Sequence, residues 1–228
     1  MRGNFWCKSV KIHIDWHYRP WARFACAPHR AGYFPDVYPI SRQTGGNHTL
    51  ANNSLGKTFL LCAPDVNMVR AWQGLFEEDS RFQICHGTIL RPDVDAWSTA
   101  SDSQLGMGGG LDWAIRQSCP GIHQRAQKVA AELYGGSMPV GQAAAIPSGC
   151  PSPRWVILVP TMPYPGPLAS AEPIYAAMMA LMRASYQHPN VSRISVPAYG
   201  TGVGGIAPDK AAAAMYRAVL SYDEQHLS

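Results

Sequence analysis

Apolar and polar positions fall into a regular rhythm from Thr58 onward. Thr58-Phe-Leu-Leu-Cys-Ala63 is a short, continuous apolar run, the pattern of a strand buried on both faces. From Val66 to Glu78 the apolar positions Val66, Val69, Trp72, Leu75 and Phe76 recur at helical spacing, with Asp65 placed to cap the helix. Phe82–His86 and Val94–Trp97 predict two further strands. A glycine run, Gly106–Gly110, leads into a helix over Leu111–Ser118. Pro120 suits the first turn of the next helix, which runs to Leu133 and stops at Gly135-Gly136. Gln142–Pro147 and Trp155–Pro160 predict strands, and Ala171–Tyr186 predicts a helix carrying Ile174, Met178, Leu181 and Met182 into the core. Arg193–Pro197 predicts the last strand. Asp209–Tyr222 predicts the last helix, entered from Pro208. Strands that alternate with helices predict an α/β fold with helices on both faces of the sheet.

Residues 1–57 lack that rhythm. They are rich in Trp, Tyr, Pro, His and Arg, and neither a helical nor a strand period persists. The expectation is an irregular or disordered basic extension over 1–57, followed by one domain over 58–228. Within the extension, His13-x-Asp15-x-His17 could set three ligands on one strand face. A triplet without a fourth ligand nearby is usually chance, and no metal site is expected.

Length fits this division, since 228 residues give room for one domain with an extension. Charge sharpens it. The net charge is +4, but 1–57 holds 8 basic and 2 acidic residues, leaving 11 basic and 13 acidic for the remainder. The basic balance therefore belongs to the extension, and nucleic acid is not the expected partner of the domain. None of the six cysteines forms a C-x-x-C pair, and Cys62 and Cys85 lie in strand-like runs, where a reduced thiol acts as a small hydrophobe. No apolar run reaches the ~18 residues of a membrane span, and no apolar leader follows Met1. The expectation is a reducing, cytoplasmic location.

Two loops carry candidate chemistry. The first runs from Thr99 through Ser101, Asp102 and Gly108-Gly109-Gly110 to Asp112, between a strand and a helix. The second is Ala198-Tyr-Gly200-Thr201-Gly202-Val203-Gly204-Gly205-Ile206, again between a strand and a helix. Successive glycines let backbone N–H groups converge on one point, and a following helix adds its positive end. Each run could also be a tight turn and no more. Together, at the carboxyl ends of strands, they predict a phosphate-binding cleft. Neither is a Walker loop, because no Gly-Lys-Ser/Thr follows, and neither is the dinucleotide fingerprint.

These motifs resemble the macro domains, a family that binds ADP-ribose and related nucleotides. Gly87-Thr88-Ile89 stands where the family has Gly-Asp-Ile. Val94-Asp-Ala-Trp97-Ser-Thr-Ala-Ser-Asp102 stands for its Val-Asp-Ala-Ile-Val-Asn-Ala-Ala-Asn, and Gly108-Gly-Gly-Leu-Asp112 for its Gly-Gly-Gly-Val-Asp. Ala198-Tyr-Gly-Thr-Gly202 matches its second glycine loop. Pro139-Val-Gly-Gln142 and Pro160-Thr-Met-x-x-Pro165-Gly-Pro167 are similar to a branch that includes phage-tail proteins. The resemblance covers about Thr58 to Tyr222. It implies a three-layer α/β/α domain with a mixed central sheet and no cofactor. It implies ADP-ribose or a related nucleotide as partner, with an ADP-ribosylated protein as a further one.

The implied ligand residues are Thr88, Ile89, Ser101, Asp102, Gly108, Gly109, Gly110, Gly200, Thr201, Gly202, Val203, Gly204, Gly205 and Ile206. In the family's hydrolase branch the implied catalytic pair falls on Asp102 and Asp112. Three positions depart from the pattern. Thr88 replaces the Asp that holds the adenine amino group, Asp102 replaces the Asn at the distal ribose, and Ile206 replaces an aromatic that closes over the ribose. Local roles remain open for both carboxylates, Asp102 as a turn residue and Asp112 as a helix cap. The alternative function is a non-catalytic interaction module that keeps the fold with a degenerate ligand site.

Overall fold

The computed structural model describes Tyr38–Pro39, 56–91 and 93–226. All of these lie in the compact unit Gly32–Ser228. The extension, apart from Tyr38–Pro39, Gly56 and Lys57, lies outside the described residues, as does the His13-x-Asp15-x-His17 triplet.

The described elements are β1 (Tyr38–Pro39), β2 (Thr58–Ala63), α1 (Val66–Phe76), β3 (Phe82–His86), β4 (Ala96–Ser98), β5 (Ser101–Asp102), α2 (Gly110–Ser118) and α3 (Ile122–Tyr134). They continue with β6 (Ala144–Pro147), β7 (Trp155–Leu158), β8 (Pro160–Met162), α4 (Glu172–Gln187), β9 (Arg193–Pro197) and α5 (Pro208–His226). Among the described residues the main sheet has order β1-β6-β7-β4-β9-β2-β3. Strands β7, β4, β9, β2 and β3 run parallel, and β6 is antiparallel to both β1 and β7. The sheet is mixed, as expected.

Strand β2 shows why continuous apolar runs were needed. Phe59, Leu61 and Ala63 face a core shared with α1, α4 and α5, whereas Leu60 and Cys62 face a second core shared with α2 and α3. Two helical layers thus enclose the sheet, and its central strands have no solvent face. Met178, Met179 and Met182 are all buried in the first core, as their helical spacing implied.

Several boundaries moved for identifiable reasons. Pro120 does not enter a helix; α3 begins at Ile122 after Gly121, whose φ of 75° only glycine adopts readily. The C-terminal stop is as expected: Gly135 is left-handed, and both its N–H and that of Gly136 return to Ala130 O. The expected strand Trp155–Pro160 is two strands. Val159 N donates to Thr99 Oγ1 (2.9 Å) rather than continuing the ladder, and Pro160 has no N–H to offer. Pro160–Met162 then pairs with β5, a strand too short to show in the sequence pattern. Asp65 caps α1 through Asn67 N (2.9 Å), as expected.

One ion-pair cluster fastens the edge of the sheet to the last helix. Arg81 reaches Asp79 (2.6 Å) and, through two bonds, Asp223 on α5 (2.7 and 2.6 Å). These side chains are only about a quarter exposed, 22%, 22% and 26%, so solvent screens them incompletely. Arg81→Ala strands two carboxylates and should cost about 1–2 kcal/mol, lowering Tm by roughly 2–6 °C. A thermal melt unchanged by the substitution would show the cluster to be energetically idle.

Candidate functional site

The carboxyl ends of the parallel strands open onto a cavity of about 810 Å3. Its lining includes Cys62 and Pro64 at the end of β2, Gly87, Thr88 and Ile89 after β3, and Ala100 and Asp102 near β5. It continues with Gly106 to Asp112, with Thr161 and Met162 of β8 and Pro165 beyond it, and with Pro197 at the end of β9 followed by Ala198 and Gly200 to Gly204. The two glycine loops, separated by some ninety positions of sequence, line one cleft.

The first loop is held by its apolar residues rather than by its glycines. Leu105 and Met107 are fully buried in the second core, and both have positive φ, 51° and 47°. That conformation is unfavourable for such residues, and core packing holds it in place. The loop delivers the chain to Gly109, the N-cap of α2, which makes no side-chain cap bond. The first N–H groups of α2 therefore remain available at the cleft, where the helix dipole favours an anion.

Asp112 sits in the first turn of α2 and not at its cap. It is 7% exposed, lines the cavity, and its Oδ1 is buried without a hydrogen-bond partner. Burial pushes its pKa up to about 6. Hydrogen bonding from Ser101 and the Ala100 backbone favours the charged form, and the nearby Asp102 opposes it. Asp102 has the local role that was left open: its Oδ1 accepts from Gln104 N (2.7 Å) while the residue lines the cleft. Ser101 is buried below the cavity lining, with its Oγ donating to Thr99 Oγ1 (2.8 Å), so it supports the site from beneath.

The second loop is a set of nested turns. Gly200 is left-handed (φ 73°) and its carbonyl accepts from Ile206 N (3.0 Å); Gly205 N donates to Gly202 O (3.0 Å). Gly204 O accepts from Leu168 N (2.9 Å), which ties this loop to the one after β8. Thr201 Oγ1 donates to Ala198 O (3.0 Å), so its hydroxyl proton is committed to the turn. Val203 stands 63% exposed at the cleft. Gly205 and Ile206 lie outside the cavity lining, and Ile206 packs partly buried against the first core. Buried Tyr199 hydrogen-bonds Ser98 and so roots the loop on β4. At the opposite wall, Thr88 Oγ1 already accepts from Leu90 N (3.1 Å).

The profile of the macro domain family matches residues 99–215. The chain belongs to the macro domain family. A macro domain-containing protein of Streptomyces griseus is 31% identical over 144 residues, covering 61% of this chain and 78% of the relative. Among solved structures, the Oceanobacillus iheyensis macrodomain with ADP is similar at TM-score 0.52 and 23% identity, covering 61% of this chain and 75% of that one. Thermosipho africanus DarTG in complex with ADP-ribose is similar at TM-score 0.51 and 15% identity, covering 59% of this chain and 37% of that one. Those likenesses establish the macro fold and its three layers.

The macro domain cleft also has a wall that the two glycine runs did not announce. Thr161 and Met162 come from β8 and Pro165 from the loop after it, a stretch whose sequence signal was the Pro160-Thr-Met-x-x-Pro165 motif. Cys62 lines it too, although it looked like ordinary core in a strand pattern, and so does Met107 from within the first loop.

Proposed function

We propose that this macro domain binds ADP-ribose or a closely related phosphate-bearing nucleotide. The observation that carries this reading is the convergence of two glycine loops and an uncapped helix N-terminus on one cavity of about 810 Å3. That volume lies within the roughly 300–1,000 Å3 range of small-molecule sites. Backbone N–H groups of Gly108–Gly110, Gly200, Gly202 and Val203 serve the phosphates. Thr88 and Ile89 flank the adenine, and Asp102 faces the distal ribose. Ser101, Gly205 and Ile206 hold the walls from behind. The named ligands of the similar solved structures support the same ligand class.

Thr88 limits affinity. Its single oxygen is engaged by Leu90 N, and it carries no charge for the adenine amino group. An Asp at this position can keep the Leu90 contact with one oxygen and present the other. A charge-assisted bond contributes about 1.5–3 kcal/mol, so Thr88→Asp should tighten ADP-ribose binding by about tenfold or more in calorimetry. Absence of heat with the wild-type chain up to about 1 mM ADP-ribose, a limit near −4 kcal/mol, overturns the named ligand.

A second reading rests on Asp112, a buried carboxylate that lines the cleft and has one oxygen without a hydrogen-bond partner. Such a group is poised to orient and deprotonate a water that attacks an ADP-ribosyl linkage on a modified protein. Incubation with a mono-ADP-ribosylated protein should then release ADP-ribose, at a rate that rises through about pH 6 as Asp112 ionises. Binding without release would reduce the site to recognition alone. Neither binding nor release would leave an interaction module.

A further inference from the structure

Cys62 and Cys85 are directly paired in the register of β2 and β3. Paired residues on adjacent strands lie about 4.8 Å apart, inside the Cα separation of roughly 4.4–6.8 Å that a disulfide needs. The two thiols are electrostatically coupled neighbours, and Cys85 donates to His86 O (3.9 Å). They are not equivalent. Cys62 is 2% exposed, lines the cleft, and also donates to Leu60 O (3.5 Å). Cys85 is half-buried on the edge strand, and Arg91 Nη1 donates to its sulfur at 3.2 Å. Arg91 is aimed there by Asp93, which accepts from its Nε (2.9 Å) and Nη2 (3.1 Å). Neither Arg91 nor Asp93 lines the cleft, so ligand binding does not explain the guanidinium placed on a thiol.

We propose that Cys85 and Cys62 form a peroxide-responsive dithiol, in which Cys85 is the attacking thiolate and Cys62 the resolving thiol, closing to a disulfide in the wall of the cleft. The Cys85 thiolate attacks one oxygen of a hydroperoxide. An S–O bond forms, the O–O bond breaks, and the departing alkoxide or hydroxide takes a proton. Sulfur is oxidised to a sulfenic acid and the peroxide is reduced to an alcohol or water. Cys62 sulfur then attacks the sulfenic sulfur, the S–O bond breaks, and hydroxide leaves with the Cys62 proton as water.

Charge placement supports this division of labour. Interactions with the Cys62 thiol and the Arg91 guanidinium outweigh burial and pull the Cys85 thiol below the usual thiol range. The same interaction between the thiols, together with burial, raises Cys62, so it stays protonated until called upon. A lowered thiol is richer in thiolate at acid pH, where that gain outweighs its loss of intrinsic nucleophilicity, so the pH profile is the discriminating measurement.

The test uses the full chain, first reduced. Alkylation of Cys85 by iodoacetamide, followed by peptide mass, should show a midpoint at least one pH unit below that of free glutathione, and it should move upward in Arg91→Gln. A midpoint at the value of free glutathione, or one unmoved in Arg91→Gln, overturns the thiolate assignment. With one equivalent of hydrogen peroxide, a Cys62–Cys85 linked peptide should form. Cys62→Ser should instead leave a Cys85 sulfenic acid trapped by dimedone, and Cys85→Ser should form neither. Linked peptides dominated by other cysteines, or Cys85 driven to sulfinic acid with Cys62 present, overturn the pairing. Weaker ADP-ribose binding by the oxidised chain is a consequence that rests on the proposed function. Thiol mapping does not depend on that ligand, so the two ideas fail separately.

Discussion

Asp112→Asn raises the stability of the protein at pH 7.5 by about 2 kcal/mol while abolishing any release of ADP-ribose from a modified protein. Both effects come from one buried carboxyl. Its folded pKa is raised from 3.8 to about 6, so between those values the native state binds more protons than the unfolded chain. Stability contributed by this group is therefore complete at low pH and falls as pH rises from about 4 to about 6. A shift of this size corresponds to roughly 3 kcal/mol, since each unit is about 1.4 kcal/mol. Asn cannot ionise and escapes that loss. It recovers somewhat less than the whole, because the orphaned position of Oδ1 stays unsatisfied in the amide. Urea unfolding of both proteins at pH 4.5 and 7.5 checks the sign: near equality at the lower value and a gap in favour of Asn at the higher. A wild-type curve with no slope attributable to Asp112, or an Asn variant weaker at pH 7.5, would show that the carboxylate is satisfied in solution and not held for chemistry.

The same residue illustrates what a sequence can and cannot reveal. The triplet Gly108-Gly109-Gly110 announced a helix start and a phosphate loop, and Asp112 was legible as a candidate. Its burial was not, because the residues that meet it, Ala100, Ser101 and Asp102, lie ten or more positions away and reach it only once the first loop has folded. Nothing in the pattern showed that Leu105 and Met107 accept left-handed backbone to bury their side chains. The layers of the fold were legible because β2 and β7 carry continuous apolar runs, and only strands covered on both faces tolerate that. Strand β5 was not legible, since two residues carry no period. Thr88 and Thr201 could be read as polar groups near a ligand, but their hydrogen bonds to Leu90 N and Ala198 O depend on turn geometry. For the same reason the pairing of Cys62 with Cys85 depends on strand register, which the spacing of two apolar runs leaves undetermined.

Gly204→Ala and Gly200→Ala should damage the second loop in separable ways. A Cβ on Gly204 would stand 2.6 Å from Gly200 O and 3.1 Å from Gly200 Cα. Those are backbone atoms of the same loop, so no side chain can swing aside and the nested turns must open. The loop holds little of the core, so the stability cost should stay near 1–2 kcal/mol. The converging N–H groups are lost as a set, however, and binding of a phosphate-bearing ligand should fall by about 100-fold or more, as two charge-assisted bonds are removed. On Gly200 the added Cβ would meet Ile174 Cδ1 at 2.5 Å and Cγ1 at 2.8 Å, and the backbone φ of 73° is itself unfavourable for alanine. Ile174 is fully buried in the first core, so this strain passes into α4. The left-handed backbone costs about 1 kcal/mol and the overpacking about 1–3 more, so Gly200→Ala should lose roughly 2–4 kcal/mol of stability. Calorimetry with ADP-ribose and urea unfolding of both variants separate the cases. If Gly204→Ala bound as tightly as wild type, the second loop would be a turn and not a phosphate cradle, and the first loop with the α2 N-terminus would have to hold the anion alone.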